Sequence, residues 1–122
     1  MTRVWRLRPR GEFERIRQNG RSWPHRFFLL IVLPQPDRSA APPRIGIAAG
    51  KKLGGAVLRN RYKRILREAA RQVYLNIPNG VDLILIARAP IAEASVAQLA
   101  TALGETLRRA KVWRENAPQA EG

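Results

Sequence analysis

The sequence predicts one small domain that mixes helices with a sheet, α+β or α/β, and three observations predict it. Three short apolar runs read as strands: Arg26 to Leu33 (RFFLLIVL), Arg44 to Ala49 (RIGIAA) and Val81 to Ala87 (VDLILIA). Between the second and third lies a long helical pattern, which gives a strand–helix–strand unit at the centre of the chain. At 122 residues and 45% hydrophobic composition, the chain supports one domain with a modest core, with no repeats and no second domain. The predicted domain is 1–113, with 114–122 as a flexible tail.

Residues 1–8 form a basic lead-in, expected to be mobile. Pro9 suits the first turn of a helix, and Gly11 to Gly20 follows as that helix, with Gly20 expected to cap it in the left-handed region. Phe13 and Ile16 lie three apart on one face. Ile16 is assigned to the core, while Phe13 stays open between core packing and stacking on a base. Pro34 ends the first strand, and the Pro-rich segment 35–43 is a loop with no expected role. Gly46 inside the second strand marks an expected close backbone approach. Gly50, Gly54 and Gly55 bracket Lys51 and Lys52 in a turn before the long helix. Exposed amides there, with the helix N-terminus, can accept a phosphate, and a plain connecting loop fits the glycines equally well. Pro78-Asn79-Gly80 is a turn into the third strand, whose nearly unbroken apolar character calls for cover on both faces. Ser95 and Gln98 form a capping box that opens a last helix to about Val112, with Val96, Leu99, Leu103 and Leu107 as its core stripe.

The stretch Lys51 to Arg71 carries eight basic residues (Lys51, Lys52, Arg59, Arg61, Lys63, Arg64, Arg67, Arg71) against one acid, Glu68. From Val57 on it reads as a helix. At about 100° per residue, Leu58, Tyr62, Ile65, Leu66, Ala69 and Val73 share one arc, and Arg59, Asn60, Lys63, Arg64, Arg67 and Arg71 fall opposite. One face can enter a core while the other presents a fixed array of cations. Guanidinium forks match phosphate oxygens bidentately, so the pattern points to an RNA-binding helix.

Composition narrows the function classes. Lys plus Arg number 23 against 9 acids, a formal net charge of +14, which calls for a polyanionic partner. There is no cysteine, which removes disulfides, thiolate nucleophiles and cysteine-based zinc sites together and fits a reducing cytosol. The N-terminus lacks the apolar run of a signal peptide, and no segment approaches the ~18 apolar residues of a spanning helix, so a cytoplasmic protein without membrane association is expected. Side-chain hydrolysis would need paired carboxylates, a histidine-based triad or a metal cluster. The acids are scattered, and the single histidine, His25, reads as a surface or RNA-contacting residue rather than a general base. Asp82, alone in an apolar strand, is expected to pair with an arginine. The chain reads as a binder.

Ala56 to Glu68, with its Arg59-Asn60-Arg61-Tyr-Lys63-Arg64 core, resembles the RNR motif of the bacterial ribonuclease P protein family. Arg6 to Gly20 is similar to that family's opening helix, Arg44 to Lys52 to its strand entering the basic helix, and Val81 to Arg88 to its later strand. The resemblance therefore runs in the family's order over most of the chain. It implies an α+β fold, a small two-layer sandwich of order α-β-β-β-α-β-α, with a weak early strand near Arg21 to Trp23 and a left-handed β-α-β crossover that sequence physics would not predict. It implies the small subunit of a ribonucleoprotein that removes the 5′ leader from precursor tRNA, with the chemistry and its Mg²⁺ ions belonging to the RNA subunit and no organic cofactor. The implied partners are the catalytic RNA and precursor tRNA, with no obligatory protein partner. The protein would raise substrate affinity and help retain metal ions.

Carried over by position, Lys51, Lys52, Arg59, Asn60, Arg61, Lys63, Arg64 and Arg67 would contact the catalytic RNA. Arg61 lies beside Glu68 on the wheel and so is expected to brace the helix rather than touch phosphate. Phe13, Arg17, Arg26, Phe28 and Ile31 would line a cleft that holds the leader. The family often has aromatics where Arg17 and Ile31 stand here, so leader stacking is expected to be weaker, with Arg17 supplying a cation or a guanidinium plane. A ribosomal protein shares the size and charge but would not stimulate cleavage. A DNA regulator would need more base-reading side chains on its helix, and a membrane-surface helix would expose large apolar residues opposite its charges.

Overall fold

The computed structural model describes residues 5–6 and 11–115. Eight regular elements follow in chain order: β1 Trp5–Arg6, α1 Gly11–Asn19, β2 Arg21–Pro24, β3 Phe28–Pro34, β4 Arg44–Ala48, α2 Ala56–Val73, β5 Val81–Ala87 and α3 Val96–Arg109. From α1 onward this is the expected α-β-β-β-α-β-α order of a small α+β domain. β1 corrects the reading of 1–8 as a mobile lead-in, since Trp5 and Arg6 pair in parallel with Arg44 and Ile45. Two residues are too few to show a period-2 pattern, so no strand is legible there.

The five strands lie in the order β1-β4-β5-β3-β2. β5 is central, with β4 parallel on one side and β3 antiparallel on the other. Its burial is nearly complete, as its apolar run requires. Alternation along the strands divides the side chains between two faces. Phe28, Leu30, Val32, Ile45, Leu83 and Leu85 join the main core beneath α2 and α3, whereas Ile31 and Ile84 meet Ile16 of α1 on the opposite face.

α1 buries one residue fully, Ile16. Gly20 ends this helix but does not adopt the expected left-handed conformation. A Cβ there would stand 2.6 Å from both the Ile16 carbonyl and Ile31 Cγ2, so close approach is what demands the glycine. Asp82 is paired with arginine, as its place in an apolar strand requires: the Arg44 side chain donates to it through Nε at 3.0 Å and NH2 at 2.7 Å.

The capping box of α3 is formed, with Gln98 N–H donating to Ser95 Oγ and Ser95 N–H to Gln98 Oε1. Leu99, Leu103 and Leu107 are buried as expected, and the helix ends at Arg109, short of Val112. Beyond it the Arg114 N–H donates to the Asn76 carbonyl, and Asn76 Nδ2 donates to the Arg114 carbonyl. The chain at Arg114 is therefore tied to the turn that follows α2, while 116–122 of the predicted tail lie outside the described residues.

Candidate nucleic-acid interface

The approach to α2 is built from glycine. Lys51–Leu53 form a single 3-10 turn, and Gly54 follows at φ +129°, a conformation that side-chain-bearing residues rarely adopt. Gly55 is the N-cap and offers no side-chain acceptor to the first helical amides. Lys51 and Lys52 are both exposed beside that open end. Positive helix dipole, unpaired amides and two ammonium groups favour an anion there.

α2 is anchored through Tyr62, Leu66, Ala69, Ala70 and Val73, all buried. The face opposite carries Asn60, Arg61 and Arg64, all exposed, with Lys63 and Arg67 half-buried at its flank. Together with Val57 these side chains line an open groove of about 590 Å³. The buried face is rotated from the wheel read from sequence. Leu58 is 42% exposed and lies against Gly54, whereas Ala70 takes a core position. With that rotation Arg61 joins the exposed array. Glu68 pairs with Arg71 at 3.2 Å, so the expected bracing of Arg61 by Glu68 is corrected. Arg59 stands at the edge of the array, half-buried, with its Nε enclosed and lacking a protein partner.

The residues expected in a cleft do not all come together. On the α1 face Phe13 is half-buried against the Ile16–Ile31–Ile84 group, and Arg17 is exposed. Leu29, Leu33 and Ile86 pack on the same group and remain half-exposed, forming an aliphatic floor. Phe28 is corrected: it is fully buried in the main core on the other face, one residue out of phase with the floor. Ile31 is corrected as well, since it is 2% exposed beneath α1 and cannot meet a ligand. Arg26 is exposed in the β2–β3 turn, where it pairs with Glu93 at 3.7 Å and lies over Phe27. Phe27 packs on the main core, so these contacts draw Arg26 toward the α3 side. Leu29, Leu33 and Ile86 are the floor residues that the sequence reading missed. The period-2 alternation of β3 and β5 relative to Ile31 was the signal that could have found them.

His25 does structural work in the same turn. Its Nδ1 accepts from the Phe27 N–H at 3.1 Å, and its ring stacks on Phe28 at 4.9 Å between centroids. Burial is the main cause that pushes its pKa below the ordinary value, with Glu105 and Arg109 opposing each other in smaller amounts. Among the described residues no three His, Asp or Glu side chains gather as a metal site, and no helix is long and apolar enough to cross a membrane.

Comparison with known proteins places this geometry. The family model described as Ribonuclease P matches residues 1–111. A ribonuclease P protein component from Herpetosiphon aurantiacus is 43% identical over 115 residues, spanning 94% of this chain and 91% of the relative. One from Brevibacillus brevis is 36% identical over 115 residues, spanning 94% and 90%. Among solved structures, an RNase P protein from Staphylococcus aureus aligns with a TM-score of 0.77 at 33% identity, covering 92% of this chain and all of that one. An RNase P protein from Thermotoga maritima aligns at 0.74 and 30% identity, covering 85% and 96%.

Proposed function

The chain belongs to the ribonuclease P protein family, and from that premise we propose how its two faces divide the work of the ribonucleoprotein. It is the protein component of an endoribonuclease that acts in maturation of the tRNA 5′ end, and its partner is the RNA subunit. In our reading, α2 docks on that RNA through Asn60, Arg61, Lys63, Arg64 and Arg67, with Lys51 and Lys52 at the helix entrance and Arg59 at the flank. The observation that carries the reading is the exposed cationic face of a helix whose opposite side is locked in the core. Asn60, Arg64, Arg67 and Arg71 recur about one turn, or ~5.4 Å, apart. The helix backbone holds the spacing of the Arg64 and Arg67 forks, and a planar fork loses less freedom per hydrogen bond to phosphate than an ammonium does.

The α1 face holds the single-stranded leader of precursor tRNA. Phe13 offers a ring to a base, Arg17 a cation to the backbone, and Leu29, Leu33 and Ile86 an apolar floor. With one aromatic among the described residues and an aliphatic floor, the cleft favours contact with any base over hydrogen-bonded readout. Mg²⁺ serves the hydrolysis in this reading, and the described residues of the chain do not fit it. The ion seeks oxygen ligands in octahedral array, while the α2 face presents cations. The metal therefore belongs with the RNA, and the protein's part is to bind and orient.

The test is cleavage of precursor tRNA at low Mg²⁺ by the protein alone, by cognate RNA subunit alone, and by both. Cleavage only with both supports the reading. Tight RNA binding without stimulation points instead to a structural RNA-binding protein, and cleavage by the protein alone places chemistry in this chain.

A further inference from the structure

We propose that Arg44, held by Asp82 and gripping Glu12, is the positioning residue of the leader cleft, fixing the N-terminal turn of α1 against the sheet and so setting where Phe13 stands. The inference rests on the reading of the α1 face as the leader site.

Arg44 and Asp82 are direct neighbours across the β4–β5 ladder and point to the α1 face. The Asp82 side chain is only 2% exposed, among aliphatic neighbours, where an unpaired carboxylate would be costly. Arg44 meets that need bidentately, through Nε at 3.0 Å and NH2 at 2.7 Å. The guanidinium is planar, so this pairing fixes the direction of its remaining nitrogen. That nitrogen, NH1, donates to Glu12 Oε1 at 3.0 Å, and Glu12 Oε2 stands in ion-pair contact at 3.0 Å without hydrogen-bond geometry. One turn further along α1, an Arg15 nitrogen lies 3.5 Å from Asp82 Oδ2. The hydrogen bonds to Asp82 are the main cause that raises the Arg44 pKa, so the fork stays charged.

Satisfying Asp82 required only the strand-to-strand pair. The extension to Glu12 and Arg15 reaches a different element, and that element needs it. A helix of nine residues is marginal alone and takes its place from tertiary contacts. At its far end α1 is held by Ile16 and by the close approach of Gly20 to β3. At its near end the side-chain ion pairs among the described residues run to Arg44 and Asp82. Phe13 follows Glu12 directly, so the angle of the near end decides how far its ring stands over Leu29, Leu33 and Ile86. A leader base stacked on that ring would feel the angle. Docking of α2 on the RNA subunit, on the other side of the sheet, would not.

The variants are Glu12→Gln, which keeps shape and removes charge at a half-exposed position, and Arg44→Lys, which keeps charge and removes the fork. Each is assembled with the RNA subunit and assayed on precursor tRNA carrying a full leader and on the same tRNA with a one-nucleotide leader. Amide exchange is followed in the free protein. The expected result is a rise in KM of about tenfold for the full-leader substrate, the equivalent of ~1.4 kcal/mol, with kcat unchanged. The KM for the short-leader substrate and the affinity for the RNA subunit stay as in the parent. Exchange quickens in α1 and not in α2 or α3. Faster α1 exchange with leader affinity intact would overturn the positioning role, and so would unchanged exchange or equal loss on both substrates. A parent protein that shows no preference for the full leader would overturn the cleft reading itself, and this proposal with it.

Discussion

Arg64 provides the sharpest test of the α2 face, because its side chain is exposed in the middle of the array and lines the groove between Arg61 and Arg67. If its guanidinium neutralises one phosphate of the RNA subunit, binding releases the counterion that phosphate held. Arg64→Ala should then reduce the slope of log affinity against log salt by about 0.7–0.9. The consequence can be worked through for two salt concentrations. A fourfold change, from about 50 to 200 mM, raised to the power 0.7–0.9 is about 2.6–3.5. The ratio of parent to variant affinity should therefore shrink roughly threefold across that range. The fold should be untouched, since Arg64 points away from the buried side of α2, and substitutions at such positions usually stay within about 0.5 kcal/mol. The assay is filter binding or fluorescence anisotropy with labelled RNA subunit at four or five salt concentrations, with urea unfolding as the control. A weaker variant whose slope matches the parent would refute the reasoning, because affinity would then be lost without loss of a phosphate contact.

Other predictions separate the faces. Phe13→Ala should weaken binding of leader-bearing substrate with little effect on urea midpoint. Phe28→Ala, emptying a fully buried position, should cost about 3–5 kcal/mol of stability whatever RNA is present. Gly54→Ala should cost about 1–3 kcal/mol in the same assay, because φ +129° strains any side chain, and should weaken RNA-subunit binding by disturbing the entrance to α2. His25 has a pKa below its ordinary 6.5, so the folded state binds fewer protons than the unfolded chain near and below that pH. Stability should fall as pH drops below about 6.5 and level off above it, and His25→Asn should flatten that part of the profile.

Much of the fold was legible because three strands and two helices carry long, unambiguous patterns. The capping box of Ser95 and Gln98 and the arginine partner of Asp82 followed from satisfaction rules that hold wherever a helix begins or a carboxylate is buried. The family resemblance supplied the order α-β-β-β-α-β-α and the early strand that became Arg21–Pro24. Other features were illegible for physical reasons. The partner of Trp5–Arg6 is set by tertiary packing rather than by its two residues. Gly20 looks like a helix cap in sequence, and only the approach of β3 shows that it is a packing glycine. On a helical wheel Arg61 adjoins Glu68, and the sheet and α3 together rotate the buried arc enough to free Arg61 and give Glu68 to Arg71. Phe28 and Ile31 were assigned to a cleft by analogy of position. The alternation of β3 sends Phe28 to the wrong face, and α1 closes over Ile31.

The most direct measurement uses the absence of cysteine in the chain. Val57→Cys, at a position 84% exposed beside the basic groove, accepts a tethered iron chelate as the sole thiol. In the assembled ribonucleoprotein with precursor tRNA bound, radicals from that site should cut the backbone of the RNA subunit in a compact cluster and leave the 5′ leader intact. Cuts confined to the leader, or no cuts above the free-chelate background, would contradict the assignment of α2 to the RNA subunit.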